Sequence, residues 1–141
     1  MPMSGQEMLA QVAKLYQGRT TGDLGAFPEV LAPEAQFHFM GHESVVRAFP
    51  AGDSETPTDP NTVAQALFEQ VAMNACAFGE PVAQGNRLAV TVTAKLQVKG
   101  RPEFDHAMFD LWEFNEEGQI ISGQQFQDTA KIIEELAHLE K

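Results

Sequence analysis

Hydrophobic and polar positions recur with two different periods along this chain, and the period changes near residue 76. Before that point apolar residues return every three or four positions. Met8, Val12, Leu15 and Tyr16 share one face at this spacing, as do Leu9, Val12 and Tyr16, which predicts an amphipathic helix with Tyr16 on its buried side. Ser4 stands ahead of it with Glu7 three residues on, the pattern of a capping box. The stretch "GRTTGDLGAF" ends this helix and opens a short second one, with Asp23 as its cap and its end near Leu31. "EAQFHFMG" predicts a short strand closed by Gly41, with Phe37 and Phe39 on one face and Gln36, His38 and Met40 on the other. "ESVVRAF" has room for one or two helical turns. "PAGDSETPTDPNT" is a loop by composition. Asp59 and Pro60 then supply a cap and a first-turn proline for a third long helix. One of its stripes holds Val63, Leu67, Val71 and Asn74, and the next holds Ala64, Phe68, Ala72 and Ala75.

From about residue 76 the period is two. "CAFGEPVAQ" predicts an irregular strand bent at Gly79 and Pro81. "QGNR" is a hairpin turn in which Gly85 and Asn86 tolerate positive φ. In "LAVTVTAKLQV" the residues Leu88, Val90, Val92, Ala94, Leu96 and Val98 alternate with polar partners, the pattern of a half-buried strand. "EFDHAMFDLWEF" and "QIISGQQFQ" follow as strands, separated by the tight turn "NEEG" with Gly118 left-handed. Asp128 caps a last helix carrying Ile132, Ile133, Leu136 and Leu139. Helices and strands are thus segregated along the chain, which predicts an α+β fold with an antiparallel sheet. The chain carries no internal repeat and no low-complexity tract.

At 141 residues the chain is read as one domain, 1–141, large enough to bury a core and to hold a pocket within it. A net charge of -11 with only 9 Lys and Arg argues against nucleic-acid and anionic-membrane partners. No run approaches the roughly 18 apolar residues of a membrane span. "MPMSGQEML" lacks the basic and apolar blocks of a secretion signal, so a cytoplasmic location is expected. Cys76 is the single cysteine; it has no internal disulfide partner, and packing is its expected role.

One residue breaks the pattern. In "AMFDLWEF", Asp110 falls on the same strand face as Met108, Trp112 and Phe114, and an unpaired buried carboxylate is costly. A carboxyl in apolar surroundings prefers its neutral form. His106, four residues earlier, shares that face about 13 Å along the strand.

The order of segments resembles the ketosteroid-isomerase-like and SnoaL-like branches of the NTF2-like superfamily. "FDLWEFNEEGQIISGQQFQDTAKI" is similar to the family's penultimate strand, acidic-Gly turn and last strand. "YQGRTTGDLGAFPEVLAPEAQFHFMG" is similar to its first two helices and first strand, and "GHESVVRAF" to the segment after it. The resemblance covers about residues 6 to 137. It implies an NTF2-like cone, a curved and mostly antiparallel sheet wrapped around the N-terminal helices with an internal pocket. It also implies a homodimer through the outer sheet face, where Thr91, Thr93, Lys95 and Gln97 suit either solvent or a subunit contact.

Against the steroid isomerases, Asp110 falls where an acidic residue donates a hydrogen bond to a developing enolate, a role that needs a protonated carboxyl. Tyr16 matches the family's second donor if the loop before Gly22 is one residue shorter here. The aspartate base of the isomerases has no counterpart. His38 or Phe39 occupies its place, depending on the strand register, and His38 is the residue able to move a proton. The expected site is therefore catalytic Tyr16, His38 and Asp110, with Phe39, Met108, Trp112 and His106 against a small apolar substrate. The expected chemistry is proton transfer next to a carbonyl, giving isomerisation, dehydration or cyclisation, without a cofactor. His38, His42, His106 and Asp110 are ligand types for a metal, but no spacing supports such a site. Each residue also has a plainer role. Asp110 would pair with Arg47, Arg87 or a backbone N–H, Tyr16 would pack in the core, and His38 would be an ordinary strand histidine. Two further alternatives stand. One is a non-catalytic binding or dimerisation domain of the same fold; the other is a hydrolase using Arg47 or Arg87 with aspartates.

Overall fold

The computed structural model describes residues 3–23, 25–40 and 70–137, with Phe39 and Leu136 described by backbone only. Helix α1, Gly5–Thr21, begins as its sequence dictates. The Ser4 side chain accepts from the Glu7 N–H, and the Glu7 carboxylate accepts from the Ser4 N–H, a closed capping box. Met8, Val12, Leu15 and Tyr16 form its buried face. The second helix, α2, is one turn only, Phe27–Val30, and starts after Ala26 instead of at Asp23. The Asp23 carboxylate instead accepts from the Gly25 N–H in a local turn, which delays the helix.

Six strands follow among the described residues: β1 Leu31–Met40, β2 Val71–Phe78, β3 Val82–Gln84, β4 Arg87–Val98, β5 Phe104–Phe114 and β6 Ile120–Gln127. Helix α3, Thr129–Leu136, closes the described chain, with the Asp128 carboxylate capping the Lys131 N–H. The sheet order is β1-β6-β5-β4-β2, with β3 also paired to β4. All pairs are antiparallel except β1 with β6. The sheet is curved and unclosed, and the chain is an α+β cone. α1 packs across β2 and β4, so that its buried face and the inner faces of β4 and β5 form one core.

Several sequence expectations are corrected here. The third helix was expected to run through Ala75, but Val71–Phe78 is strand β2. This stretch breaks strict alternation for a physical reason. Val71 and Met73 are buried, a bulge lies between Met73 and Ala75, and after it Cys76 and Phe78 take the inward positions opposite Ala94 and Val92. The extra residue gives the apolar positions a spacing that mimics a helix. The expected helix from Pro60, the loop before it and the segment "ESVVRAF" lie outside the described residues. β1 begins at Leu31, three residues before the expected strand, because the backbone is already extended at Leu31, the residue that caps α2. At the β3–β4 turn only Gly85, with φ of 59°, uses the left-handed region; Asn86 does not.

Candidate active site

The site grows from the inner face of β5. Along this strand Phe104, His106, Met108, Asp110, Trp112 and Phe114 are inward or nearly so, and the residues between them face outward. Two cross-strand rows matter. Val90, Asp110 and Gln125 lie opposite one another on β4, β5 and β6, and Gln125 is in register with the backbone of Phe39 on β1. The adjacent row is Leu88, Trp112, Gly123 and Phe37. Gly123 is needed there. A Cβ at this position would stand 2.5 Å from the Trp112 ring, so only glycine lets the indole lie flat across β6. Phe37 then packs on Trp112 with ring centroids 5.7 Å apart.

Asp110 is fully buried. Its partner is Tyr16, whose hydroxyl donates to the Asp110 Oδ2 atom. The helical spacing that buries Tyr16 therefore also aims its phenol at the sheet. The Gln125 side-chain amide donates to the Tyr16 oxygen at 2.9 Å. With that lone pair taken, the tyrosine proton is directed at the carboxylate. Phe78 meets the Tyr16 ring edge-on at 5.2 Å and completes its apolar collar.

The electrostatics follow from burial. Loss of water pushes the Asp110 carboxyl up from 3.8 to about 6, although Tyr16, Gln125 and the nearby Trp112 indole all favour its ionised form. The indole is close enough to act on the charge but not in hydrogen-bonding geometry, since Trp112 Nε1 and Asp110 Oδ1 both lack a partner among the described residues. Burial and the Asp110 charge hold the Tyr16 phenol well above its ordinary value, so it stays a donor. The carboxyl thus has one oxygen held by Tyr16 and one buried oxygen without a partner among the described residues.

The structure brings Tyr16 and Asp110 together and places Met108, Trp112 and His106 on the same inner face. It does not bring His38 to them. His38 is in register with Gln124, which pairs with Leu111 on the face opposite Asp110. A parallel pairing of β1 with β6 decides this register, and a strand read alone does not contain it. His38 therefore faces away from Asp110 and stands on the face opposite His106. His42, Glu43 and Arg47 lie outside the described residues. Arg87 lies on the outer face opposite Glu113 and does not reach Asp110.

Gln125 was not foreseen as a site residue. The signal was present, because period two from Gly123 places Gln125 and Gln127 inward, but a glutamine in a strand is ordinarily read as solvent-facing. An open groove of about 940 Å³ lies elsewhere, lined by Met3, Met8, Asn86, Phe114 and Glu116 among others, and does not reach Asp110 or Tyr16.

No family model and no curated protein matches this sequence. Solved structures do match. An NTF2-like protein of unknown function from Burkholderia pseudomallei superposes with a TM-score of 0.75 at 18% identity, covering 95% of this chain and 98% of that one. A LEH-like epoxide hydrolase from M. tuberculosis has a TM-score of 0.67 at 13% identity, over 94% and 91% of the two chains. A steroid delta-isomerase from Pseudomonas aeruginosa has a TM-score of 0.59 at 18% identity, over 94% and 87%. Identities this low speak for the fold alone, and the fold is NTF2-like.

Proposed function

We propose that Asp110 and Tyr16 form the proton-handling centre of an enzyme that acts next to a carbonyl of a small apolar molecule. The observation that supports it most is the division of labour on one buried carboxyl. Oδ2 is held by Tyr16, and Oδ1 has no partner among the described residues. A group poised at about 6 serves either direction of proton transfer near neutral pH. The ionised form takes a proton from the carbon beside the carbonyl through Oδ1. The C–H electron pair moves into the enolate, and the charge leaves Asp110. Tyr16 then has a better acceptor in the enolate oxygen than in a neutral carboxyl, and its hydroxyl stabilises that oxygen. Return of the proton from Asp110 to another carbon completes an isomerisation; addition of the enolate carbon to a second carbonyl gives a cyclisation. Asp110 takes over here the base role first assigned to His38. Isomerase and epoxide-hydrolase neighbours on the same fold are compatible with such a centre.

The test uses 2-tetralone as a generic ketone in D2O, with deuterium entry beside the carbonyl followed by NMR. Catalysed exchange with an inflection near pH 6 is expected, and Asp110→Asn is expected to lower its rate by about 10²- to 10⁴-fold. Exchange that is absent in the wild type, or equal in the variant, overturns the reading. The outer sheet face is read as a contact between two copies. Phe109 and Phe126 lie opposite each other there, 42% and 40% exposed, with ring centroids 6.2 Å apart.

A further inference from the structure

The groove of about 940 Å³ that stands apart from Asp110 and Tyr16 has a chemistry of its own. Three segments wall it: the start of the chain from Met3 to Met8, the β3–β4 turn at Gly85 and Asn86, and the β5–β6 turn with its flanks from Phe114 to Ile121. Met3, Met8, Phe114 and Ile121 supply its apolar lining. Met8 and Phe114 belong to the core and form a fixed floor. Met3 and Ile121 are half-buried and offer accessible apolar surface. Met3 lies against the β5–β6 turn, its sulfur 3.5 Å from where a Cβ at Gly118 would stand. An unbranched thioether there adapts to the shape of what it meets.

The polar atoms of these walls are largely consumed. The Phe114 N–H donates to the Asn86 carbonyl at 2.9 Å, and the Asn86 side-chain amide donates back to the Phe114 carbonyl at 2.8 Å. Asn115 Oδ1 accepts from the Gln119 N–H at 2.9 Å. The Gly118 carbonyl accepts from the Gln11 amide at 3.1 Å, which ties the turn to α1. What the groove still offers a partner is apolar surface and negative charge. Glu116 and Glu117 are exposed at its edge, and neither has a hydrogen-bond or ion-pair partner among the described residues. Residues 3–8, 85–86 and 114–121 hold three glutamates, Glu7, Glu116 and Glu117, and no lysine or arginine. Lys99 and Arg101 stand instead at the β4–β5 turn, the opposite end of those two strands.

This combination selects the occupant. A second copy of a chain with net charge -11 would bring its own carboxylates against these, and anionic membranes and nucleic acids are repelled in the same way. A small ligand would be left with one side in water, because the groove is open, whereas small-molecule sites bury roughly 70–90% of their ligand. A helix from another protein covers the open side with its own body. It lays apolar side chains into the groove and carries cations on its flanks.

We propose that this groove is a docking site for a basic amphipathic helix of a partner protein, with leucine-like anchors between Met3 and Ile121 and lysine or arginine facing Glu116 and Glu117. The inference goes beyond the catalytic reading and does not depend on it.

The test adds wild-type protein to a fluorescein-labelled helical peptide of leucine and lysine, with its leucines on one face, and follows fluorescence anisotropy. Saturable one-to-one binding that weakens as salt is raised is expected. Glu116→Gln with Glu117→Gln is expected to weaken it about fivefold. Glu103→Gln with Glu134→Gln removes two exposed charges from the β4–β5 turn and α3 and is expected to leave it unchanged. Met3→Ala with Ile121→Thr is expected to weaken it about tenfold. Peptides with glutamine for leucine, or glutamate for lysine, are expected not to bind. All six substitutions fall on exposed or half-buried side chains, and circular dichroism checks that each variant is folded. No saturable binding, equal losses in the two charge-removing variants, or undiminished affinity in Met3→Ala with Ile121→Thr overturns the proposal. So does octylammonium that displaces the peptide at the peptide's own concentration, which makes the groove a small-molecule site. Self-association of the wild type that Met3→Ala with Ile121→Thr abolishes overturns it too, by making the groove a contact between copies. The exchange assay on Asp110→Asn reads none of these residues, so either idea can fail while the other stands.

Discussion

Replacing Asp110 by asparagine should stabilise the protein relative to wild type as the pH rises, and the size of the effect follows from burial. The folded-state value of Asp110 is about 6, against 3.8 for an ordinary aspartate. The native state therefore binds this proton more tightly than the unfolded chain. The corresponding stabilisation is complete below about pH 3.8 and is lost as the pH passes about 6. About two units at 1.36 kcal/mol each make a loss of roughly 3 kcal/mol. Asparagine does not titrate, so Asp110→Asn escapes this loss. It has a constant cost of its own, about 1–3 kcal/mol, because its amide N–H groups take the place of the unpartnered oxygen. That cost does not change with pH, and every other titrating group cancels between the two proteins. Urea unfolding followed by Trp112 fluorescence, at steps from about pH 4 to pH 8, gives the stability difference directly. The variant should gain about 3 kcal/mol on the wild type across this range, with most of the change between pH 4 and 6. A flat difference, or one of opposite sign, would show that the carboxyl ionises as easily in the folded protein as in water. The reasoning from burial would then be refuted, and the proposed proton-handling role with it.

Three further outcomes are expected. Tyr16→Phe removes a donor to a buried carboxylate, worth about 1.5–3 kcal/mol, so the Asp110 midpoint should rise by about one to two units in a fluorescence titration of Trp112; a midpoint at or below the wild-type value contradicts the arrangement. Gly123→Ala places a methyl group 2.5 Å from the Trp112 ring and should cost about 1–3 kcal/mol, with a changed near-ultraviolet circular dichroism band; an unchanged melting temperature and band would show that the ring does not lie where described. Phe109→Glu on the outer face should convert a dimer to a monomer in sedimentation, whereas a monomeric wild type would remove the proposed contact.

Much of the architecture follows from the order of residues alone. The capping box at Ser4, the buried stripe ending in Tyr16 and the alternation of β4 and β5 are local patterns. Each is imposed by backbone periodicity and reinforced by burial of the same residues. That Asp110 faces inward beside Trp112 is of the same kind, since a period of two leaves no choice once Met108 and Phe114 are inside. The bulge in β2 was hidden because an extra residue shifts the phase of the pattern without leaving a mark of its own.

What the sequence could not determine is who meets whom across the cone. Tyr16 and Asp110 are 94 residues apart, and Gln125 reaches the same hydroxyl from another strand. Only the packing of α1 across the sheet turns three separate polar side chains into one relay. The same holds for His38. Its strand was legible but its face was not, because a parallel pairing with β6 depends on a partner 86 residues away. A local pattern records which side of an element is buried. The tertiary contacts decide which buried polar atoms find partners and which, like Asp110 Oδ1, find none among the described residues.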